Sequence, residues 1–442
     1  MLKIHILKNK RSWGSLGNVM QTFASNVLIL GVNVLTGIII ARTLGPEGRG
    51  EQAAMIMWPQ FLAYCLTLGM PSALVYYMKK KDGNQGSLYI TALIMSLILG
   101  CVAIAIGAAL IPFWMKGYSP EVIEFAVWAL AVSPLAILGT INIAALQSRE
   151  EYFLYNFMRY IPVLGILILL CVLVATGNVT SFYTSIVYLF PAIPITIWIT
   201  IKLVLHYKMK QRNKLESAKK LLSYGVRSYG TDVAGTFSGY IDQILVVGLL
   251  SPASLGLYVV SLSLSKILNT IQTAITSVLF PKASGLQHAE AIRLTFKVYR
   301  VSMLVTLLVG ASVFLIAPYL LILLYGQSFT DAVPIFRILI FQTGIASLSW
   351  ILSQGFMSTG KPGVVTIIRV STLGINIVLL NILIPMLGIE GAAISLLITS
   401  VVEFILIFLL YTLKHHIKPR DFILTKKDIV WLFQRIRIQL SS

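Results

Sequence analysis

The sequence predicts an all-α integral membrane protein with about twelve transmembrane helices, arranged as two parallel six-helix lobes around a central cavity. Three observations support this fold class: a charge-poor composition, a series of long apolar stretches, and basic residues that alternate between the connections. The 442 residues are 57% hydrophobic and only 12% charged, with mean hydropathy +0.85. A soluble domain is about half apolar and about a quarter charged. The surface of this chain is therefore suited to lipid.

A transmembrane helix needs about 20 mostly apolar residues, and twelve such stretches follow one another along the chain. Polar residues interrupt the second, eighth and tenth of them. In the N-terminal half the stretches cover residues 19–42, 52–78, 87–112, 121–147, 153–175 and 181–205. In the C-terminal half they cover residues 222–248, 254–280, 297–321, 332–357, 363–385 and 390–412.

The basic residues orient these spans. Thirty of the 35 Lys and Arg residues lie at the two termini and the even-numbered connections, with their flanking turns. The other side has Arg42, Arg49 and Lys116, and Lys266 and Arg337 lie within spans. Since short loops rich in Lys and Arg stay cytoplasmic, both termini are predicted to be cytoplasmic, in the inner (plasma) membrane. This topology also accounts for the net charge of +19, so no nucleic-acid partner is expected.

The two halves repeat one pattern. Pro46 and Gly50 after the first span recur 206 residues later as Pro252 and Gly256 after the seventh. Six spans per half give both halves the same polarity, which makes a parallel repeat. Such a repeat predicts a cavity between the halves that opens alternately to either side of the membrane.

The repeat also predicts the domain organisation. The N-terminal lobe covers residues 1–205, a basic cytoplasmic linker 206–220, the C-terminal lobe 221–412, and a basic cytoplasmic tail 413–442. The tail alternates apolar residues with Lys and Arg, which is typical of a helix lying on an anionic membrane surface. An unstructured basic tail is the alternative interpretation.

Three segments resemble a known family. They are Ala41–Gly50 (ARTLGPEGRG), Leu68–Ala73 (LGMPSA) and Leu387–Ala393 (LGIEGAA). They resemble polysaccharide-transporter flippases, which include O-antigen flippases, in the multidrug/oligosaccharidyl-lipid/polysaccharide exporter superfamily. The resemblance implies a MATE-like fold and a transporter rather than an enzyme. The chain departs from two related classes. Lipid II flippases usually have fourteen spans, whereas this chain is predicted to have about twelve. Multidrug extruders usually have an acidic residue in helix 1, where this chain has Asn26 and Asn33.

For function, the resemblance implies translocation of an undecaprenyl-pyrophosphate-linked oligosaccharide from the cytoplasmic to the outer leaflet, for O-antigen or exopolysaccharide biosynthesis. The expected partners are this lipid-linked substrate, membrane lipid, and a polymerase and chain-length regulator of the same pathway. Two alternatives remain: an ion-coupled small-molecule antiporter of the multidrug type, and a membrane glycosyl-transfer or polymerising enzyme. The short outer connections argue against the enzyme.

Polar side chains on three spans are the candidates for substrate binding. A charge deep in the bilayer costs several kcal/mol, so it normally faces a partner or a wet cavity. Helices 1, 7 and 8 have polar residues at helical spacing, which predicts stripes converging on one cavity. The candidates on these helices are Asn26, Asn33, Asp232, Asp242, Lys266 and Asn269.

Lys266 lies near the middle of its span and is the candidate partner of the pyrophosphate. Asp232 or Asp242 would pair with Lys266 in the empty transporter or exchange a coupling proton. The alternative interpretation is a buried ion pair that joins helices 7 and 8 without binding substrate.

Three further charged residues complete the candidate set. Arg227 shares helix 7 with the aspartates and is a candidate for binding the incoming phosphate. Arg337, near the outer end of helix 10, either binds substrate or extends to the interface. Glu403, midway along helix 12, either carries a coupling ion or is neutral and hydrogen-bonded. Arg159 and Arg369 are interpreted as interfacial anchors.

No cofactor and no metal are expected. The three cysteines are far from each other and from any histidine in the sequence, so no metal-ligand spacing occurs. Gly355–Lys361 resembles a phosphate-binding loop, but Pro362 replaces the required Ser or Thr. ATP hydrolysis is therefore not expected. The energy would come from an H⁺ or Na⁺ gradient or from consumption of the product.

Overall fold

The computed structural model describes residues 15–80, 85–207, 214–414 and 417–423, and within these ranges the chain is almost entirely helical. Short 3₁₀ turns occur at Leu130–Val132, Gln327–Phe329 and Pro419–Phe422. The helices are α1 (Ser15–Cys65), α2 (Met70–Lys79), α3 (Gln85–Trp114), α4 (Pro120–Ala129), α5 (Ser133–Ser148), α6 (Tyr152–Ala175), α7 (Ser181–Leu189), α8 (Ala192–Tyr207), α9 (Lys214–Leu249), α10 (Pro252–Ser265), α11 (Ile267–Ser284), α12 (His288–Tyr325), α13 (Ala332–Ser358) and α14 (Pro362–Lys414).

Every predicted span is occupied by helix, which confirms the predicted fold class. In the described part of the chain, eight continuous helical stretches are long and apolar enough to cross a membrane. Two of them, α1 and α14, each contain two predicted spans joined at a glycine with positive φ, Gly45 (68°) and Gly388 (61°). The remaining two predicted spans are α9 and the pair α10–α11.

The polar interruptions noted in the sequence have different structural outcomes. The second predicted span is broken between α1 and α2, where Leu68 and Gly69 have positive φ, and the eighth is broken at Lys266. The tenth span is the continuous helix α13. Its polar residues are accommodated because Gln342 donates to Ser400 on α14 (2.9 Å) and Ser347 donates to Asn269 on α11 (3.3 Å).

The two ends of the bundle differ. We call the end formed by the α2–α3, α5–α6, α8–α9, α11–α12 and α13–α14 connections the basic face, and the other end the opposite face. Near the opposite face the two halves share one apolar core, which combines Met55 and Ile111 with Val246, Tyr258 and Leu380. A second core lies mainly in the N-terminal half but includes Leu221 of α9, and a third lies in the C-terminal half. The halves are therefore joined mainly toward the opposite face.

The repeated Pro and Gly residues make the closest contact between the halves. The segment of α1 after Pro46 crosses α10, which begins at Pro252. A β-carbon at Gly50 would overlap the carbonyl oxygen of Pro252, and one at Gly256 would overlap the carbonyl oxygen of Pro46. The sequence repeat is thus a reciprocal backbone contact, possible only because both positions lack a side chain. Arg42 extends the contact by donating to the carbonyl oxygens of Leu323 and Leu324 at the end of α12.

Helix α9 of the C-terminal half packs along the N-terminal half. Gly225 and Gly69 meet backbone to backbone, since a β-carbon on either would overlap the other segment. Ser217 is hydrogen-bonded to Ser87 (3.0 Å), and the indole nitrogen of Trp114 donates to the carbonyl oxygen of Ile244 (2.7 Å). Both ends of α9 are therefore held by the other half.

The first part of α1 differs from its counterpart α9. Arg159 on α6 donates to Asn26 (2.9 Å) and Asn156 donates to Thr22 (3.1 Å), so α1 is held within its own half. Large apolar side chains elsewhere on this segment are exposed, including Met20 and Leu35. Arg159, interpreted as an interfacial anchor, thus also positions α1.

The structure describes only part of the predicted linker and tail. Helix α8 ends at Tyr207 and α9 begins at Lys214, so residues 214–220 of the predicted linker are helical. Residues 417–423 fold against α12 through Phe422, whose ring lies 4.8 Å from that of Phe296. Residues 424–442 lie outside the described residues. The domain boundaries and the surface helix remain predictions.

We expect Gly50→Ala and Gly256→Ala each to destabilise the protein by about 1–3 kcal/mol, because the added methyl group overlaps an opposing carbonyl oxygen. The measurement is thermal unfolding of the purified protein in detergent. Gly37→Ala is the matched control, since no heavy atom lies within 4 Å of its β-carbon position. Equal unfolding temperatures for all three variants would contradict the close approach of the two helices.

Candidate functional site

A partly open cleft of about 620 Å³ lies between the two halves. Tyr64 comes from the end of α1, Ser72 from α2, Thr140 and Gln147 from α5, and Thr236 from α9. Gln147 is in the last turn of α5, so the cleft lies in the part of the bundle nearer the basic face. It is the main candidate for a substrate site.

Among the described residues, the lining of the cleft is uncharged and combines polar groups with a larger apolar surface. It contains the hydroxyl groups of tyrosine, threonine and serine, the carboxamide of Gln147, and apolar surface from Pro71, Val75, Ile143 and Ala144. Such groups donate and accept hydrogen bonds without an ionic partner. These described groups suit the hydroxyl groups and the apolar ring faces of a polyhydroxylated ligand.

The break between α1 and α2 shapes one wall of the cleft. Leu68 and Gly69 have positive φ, and Pro71 lies at the start of α2, where proline is compatible with a helix. Tyr229 on α9 donates to the carbonyl oxygen of Cys65, which the break leaves without a helical partner. The break therefore turns Ser72 and Val75 toward the cleft while α9 caps the end of α1.

Aromatic rings from both halves and ion pairs of the N-terminal half lie toward the basic face. Tyr76 stacks on Tyr224 with ring centroids 4.4 Å apart. Lys79 forms an ion pair with Glu150 (2.6 Å), and Arg149 forms one with Glu151 (2.5 Å).

Asp242 does not line the cleft. Its side chain is only 3% exposed, and the hydroxyl of the buried Tyr258 on α10 donates to its Oδ2 (2.5 Å). Its Oδ1 has no hydrogen-bond partner among the described residues. Asp242 lies seven residues beyond the cleft residue Gly235 on α9, which is ~10 Å farther along the helix. The predicted stripe on helix 7 is thus divided between a cleft-lining part and a buried part.

Lys266 lies at the break between α10 and α11 and is exposed. It is close enough to Asp242 for their charges to interact, although no ion pair within 4.0 Å joins them in the described structure. Lys266 is therefore deeper in the bundle than the cleft. Asn269, one turn later, accepts from Ser347 on α13 (3.3 Å).

The remaining candidates are spread over the molecule. Asn26 is bonded to Arg159, and Asn33 is exposed on α1. Arg337 lies over the ring of Phe314 (4.8 Å), and its Nε has no hydrogen-bond partner in the described structure. The side chains of Arg227 and Asp232 lie outside the described residues. The structure does not bring the described candidates together at one point.

Glu403 belongs to a polar region inside the C-terminal half. It faces Arg369 on the same long helix α14, beyond the Gly388 kink, and the two charges interact. Arg369 also lies over the ring of Trp350 (4.0 Å). Thr399 donates to Asn376 (3.3 Å) nearby. Arg369 and Glu403 are half-buried in this region. The interpretation of Arg369 as an interfacial anchor stays a prediction.

The sequence interpretation also missed most of the cleft. Thr140, Ile143, Ala144 and Gln147 follow helical spacing on α5, so a search for polar residues on one face would have found two of them. The described residues contain no group of three or more His, Cys, Asp or Glu placed to hold a metal ion.

Residues 39–334 match the model of a family described as polysaccharide biosynthesis protein. No curated protein matches the sequence.

Among solved structures, the lipid II flippase MurJ in an inward closed conformation is similar, with TM-score 0.77, 16% identity, and coverage of 92% of this chain and 89% of that chain. An inward-facing multidrug resistance MATE family transporter of the MOP superfamily has TM-score 0.70 and 17% identity, covering 88% of this chain and 94% of that one. A MOP superfamily transporter from Pyrococcus furiosus has TM-score 0.62 and 15% identity, covering 90% and 95%. At these identities the similarity shows the fold alone.

Proposed function

The chain belongs to the polysaccharide biosynthesis protein family, and on this premise we propose that it is a flippase for a lipid-linked oligosaccharide. It translocates an undecaprenyl-pyrophosphate-linked glycan from the cytoplasmic to the outer leaflet of the inner membrane by alternating access. The basic face is the cytoplasmic face. It catalyses no covalent reaction. The observation that carries the proposal is the cleft between the two halves, whose described lining supplies hydroxyl and carboxamide groups beside apolar surface.

The cleft matches the chemistry of a glycan in a membrane. Sugar hydroxyl groups without partners are costly to bury in hydrocarbon, and the lining of the cleft supplies hydroxyl and carboxamide partners. Its volume of about 620 Å³ is large enough for a few sugar units. The lipid chain stays in the bilayer outside the cleft.

Lys266 is the proposed partner of the pyrophosphate. It is exposed in the interior part of the bundle, ~10 Å deeper than the cleft along α9, next to the carboxylate of Asp242. In a lipid-linked glycan the pyrophosphate lies between the sugars and the lipid chain. If the glycan occupies the cleft, the pyrophosphate therefore lies deeper in the membrane than the glycan, toward Lys266. Asp242 then compensates the charge of Lys266 when no substrate is bound. Arg227 is proposed to contact the incoming phosphate, and Arg337, Asn26, Asn33 and Asn269 to contribute polar contacts during transit.

Energy coupling is proposed at buried carboxylates. Asp242 and Glu403 are both largely removed from solvent and both have a cation nearby, Lys266 and Arg369 respectively. Either carboxylate can exchange a proton or bind Na⁺ when its cationic neighbour moves away. Asp232 is the third candidate of this group.

Alternating access requires the contact at the opposite face to open. Gly50, Gly256 and Arg42 hold the halves together there, while the cleft lies nearer the basic face. The described state therefore corresponds to one that is closed at the opposite face. Outward release requires α1 and α10 to separate.

A second function is favoured by one observation. A cleft of this volume together with buried carboxylates also suits an ion-coupled antiporter of drug-sized molecules. A deletion strain distinguishes the two functions.

We expect deletion of the gene to reduce surface polysaccharide and to cause lipid-linked glycan to accumulate on the cytoplasmic side, because the precursor is made but not translocated. The measurements are surface glycan staining and extraction of the lipid-linked intermediate. A strain that keeps its surface polysaccharide but becomes sensitive to cationic drugs would contradict the flippase and support the antiporter.

We expect the double variant Thr140→Val and Gln147→Leu to lower surface polysaccharide by about thirtyfold in the deletion strain, because two hydrogen bonds to the glycan of about 1 kcal/mol each are lost. Thr176→Val, at the exposed end of α6, is the control. Full export by the double variant, at the expression level of the control, would show that the cleft does not hold the glycan.

Lys266→Ala should abolish export, whereas Lys266→Arg should retain it, because the pyrophosphate requires a cation. Export is measured in the deletion strain, and thermal unfolding of each purified variant is measured in parallel. If Lys266 only joins α9 and α10, Lys266→Ala would instead lower the unfolding temperature while any folded protein still exports normally.

A further inference from the structure

A second cavity, of about 520 Å³, lies at the basic face of the C-terminal half, away from the cleft. Its walls are the first turns of α12 and the segment 417–423 that follows α14. His288, Arg293 and Arg300 line it from α12, and Asp421 lines it from the other side. None of these residues has a role in the proposed transport.

The segment 417–423 is a well-packed wall. Phe422 is 6% exposed, and its ring lies 4.8 Å from that of Phe296 and 4.6 Å from that of Phe408. Arg300 donates through Nη1 to the carbonyl oxygen of Asp421 (2.9 Å). The cavity is therefore bounded by side chains that are held in place on both sides.

The charges in the cavity favour an anion. Two guanidinium groups, Arg293 and Arg300, face a single carboxylate, Asp421, whose Oδ2 already accepts from the backbone nitrogen of Lys418 (3.2 Å). Guanidinium groups bind phosphate with two parallel hydrogen bonds. On the same two elements, outside the lining, Lys297, Lys418 and Arg420 add positive charge and Glu290 adds negative charge.

The apolar part of the lining indicates which phosphate compound is bound. Ile292, Phe296 and Ile417 lie beside the basic groups, and α12 enters the membrane directly from this point, since it is one of the spanning helices. The cavity thus lies at the depth of lipid headgroups. A phosphate attached to a glycerol and acyl chains would satisfy both the basic and the apolar surfaces.

We propose that this cavity binds the phosphate headgroup of an anionic phospholipid from the leaflet at the basic face. The lipid bridges α12 and the segment 417–423, and so holds this segment against the C-terminal half. The attraction is reinforced by the negative surface potential of a cytoplasmic leaflet.

The test uses the full chain in phosphatidylcholine nanodiscs, titrated with short-chain phosphatidylglycerol while the midpoint of thermal unfolding is followed. We expect phosphatidylglycerol to raise the midpoint of the wild type, and Arg293→Gln to weaken its binding by about tenfold, because one charged hydrogen-bond donor to the phosphate is lost. Arg293 is chosen because its side chain makes no hydrogen bond or ion pair with another described residue, so the variant should unfold at the wild-type temperature in phosphatidylcholine alone.

Arg420→Gln is the matched control, because Arg420 lies on the same segment but does not line the cavity. It should respond to phosphatidylglycerol as the wild type does. If Arg293→Gln bound phosphatidylglycerol as tightly as the wild type, the proposed site would be wrong. If Arg420→Gln weakened binding as much as Arg293→Gln, general surface charge would explain the binding and the cavity would not be the site. A midpoint raised as much by inorganic phosphate alone would assign the cavity to a soluble phosphate compound and overturn the lipid.

Discussion

The close approach of α1 and α10 holds the two halves together at the opposite face. Pro46 and Pro252 begin the two crossing segments, and their carbonyl oxygens occupy the space that β-carbons would fill at Gly256 and Gly50. Because the backbones touch directly, the residues around them form one core common to both halves. The second and third cores, each mainly within one half, leave room for a cleft between the halves. A transporter that opens at alternate faces has to break this contact and form others.

The polar groups inside the membrane are mostly placed with partners, as the cost of burying them requires. Asp242 accepts from Tyr258, Asn376 from Thr399, and Ser400 from Gln342. Such contacts occur in the N-terminal half as well, where Tyr89 donates to Asn142 and Arg159 to Asn26. The cleft is lined mainly by the N-terminal half. We therefore propose different roles for the two halves. The N-terminal half provides most of the surface that contacts the glycan, and the C-terminal half contains the charged groups that couple transport to an ion.

Arg49 lies in the segment Ala41–Gly50 and interacts with the other half of the molecule. It is 7% exposed, donates to Gln52, and its Nε has no hydrogen-bond partner in the described structure. Its charge also acts on Tyr325 at the end of α12, in the other half. Together with Arg42 it makes the segment Ala41–Gly50 a contact between halves. The motif that carries the family resemblance is therefore the part of the chain that joins the two lobes.

The sequence by itself determined the twelve spans, the repeat and the family, because hydropathy, the placement of Lys and Arg, and the spacing of Pro and Gly are properties of short segments. It did not determine which side chains meet. Asp242 and Gly235 share a predicted stripe, yet one is buried against α10 and the other lines the cleft. Thr140 and Gln147 were not predicted as site residues, although they line the cleft. The difference arises because the rotation of each helix about its axis, and the neighbour it faces, are set by packing between helices distant in sequence. Only the tertiary structure supplies that packing.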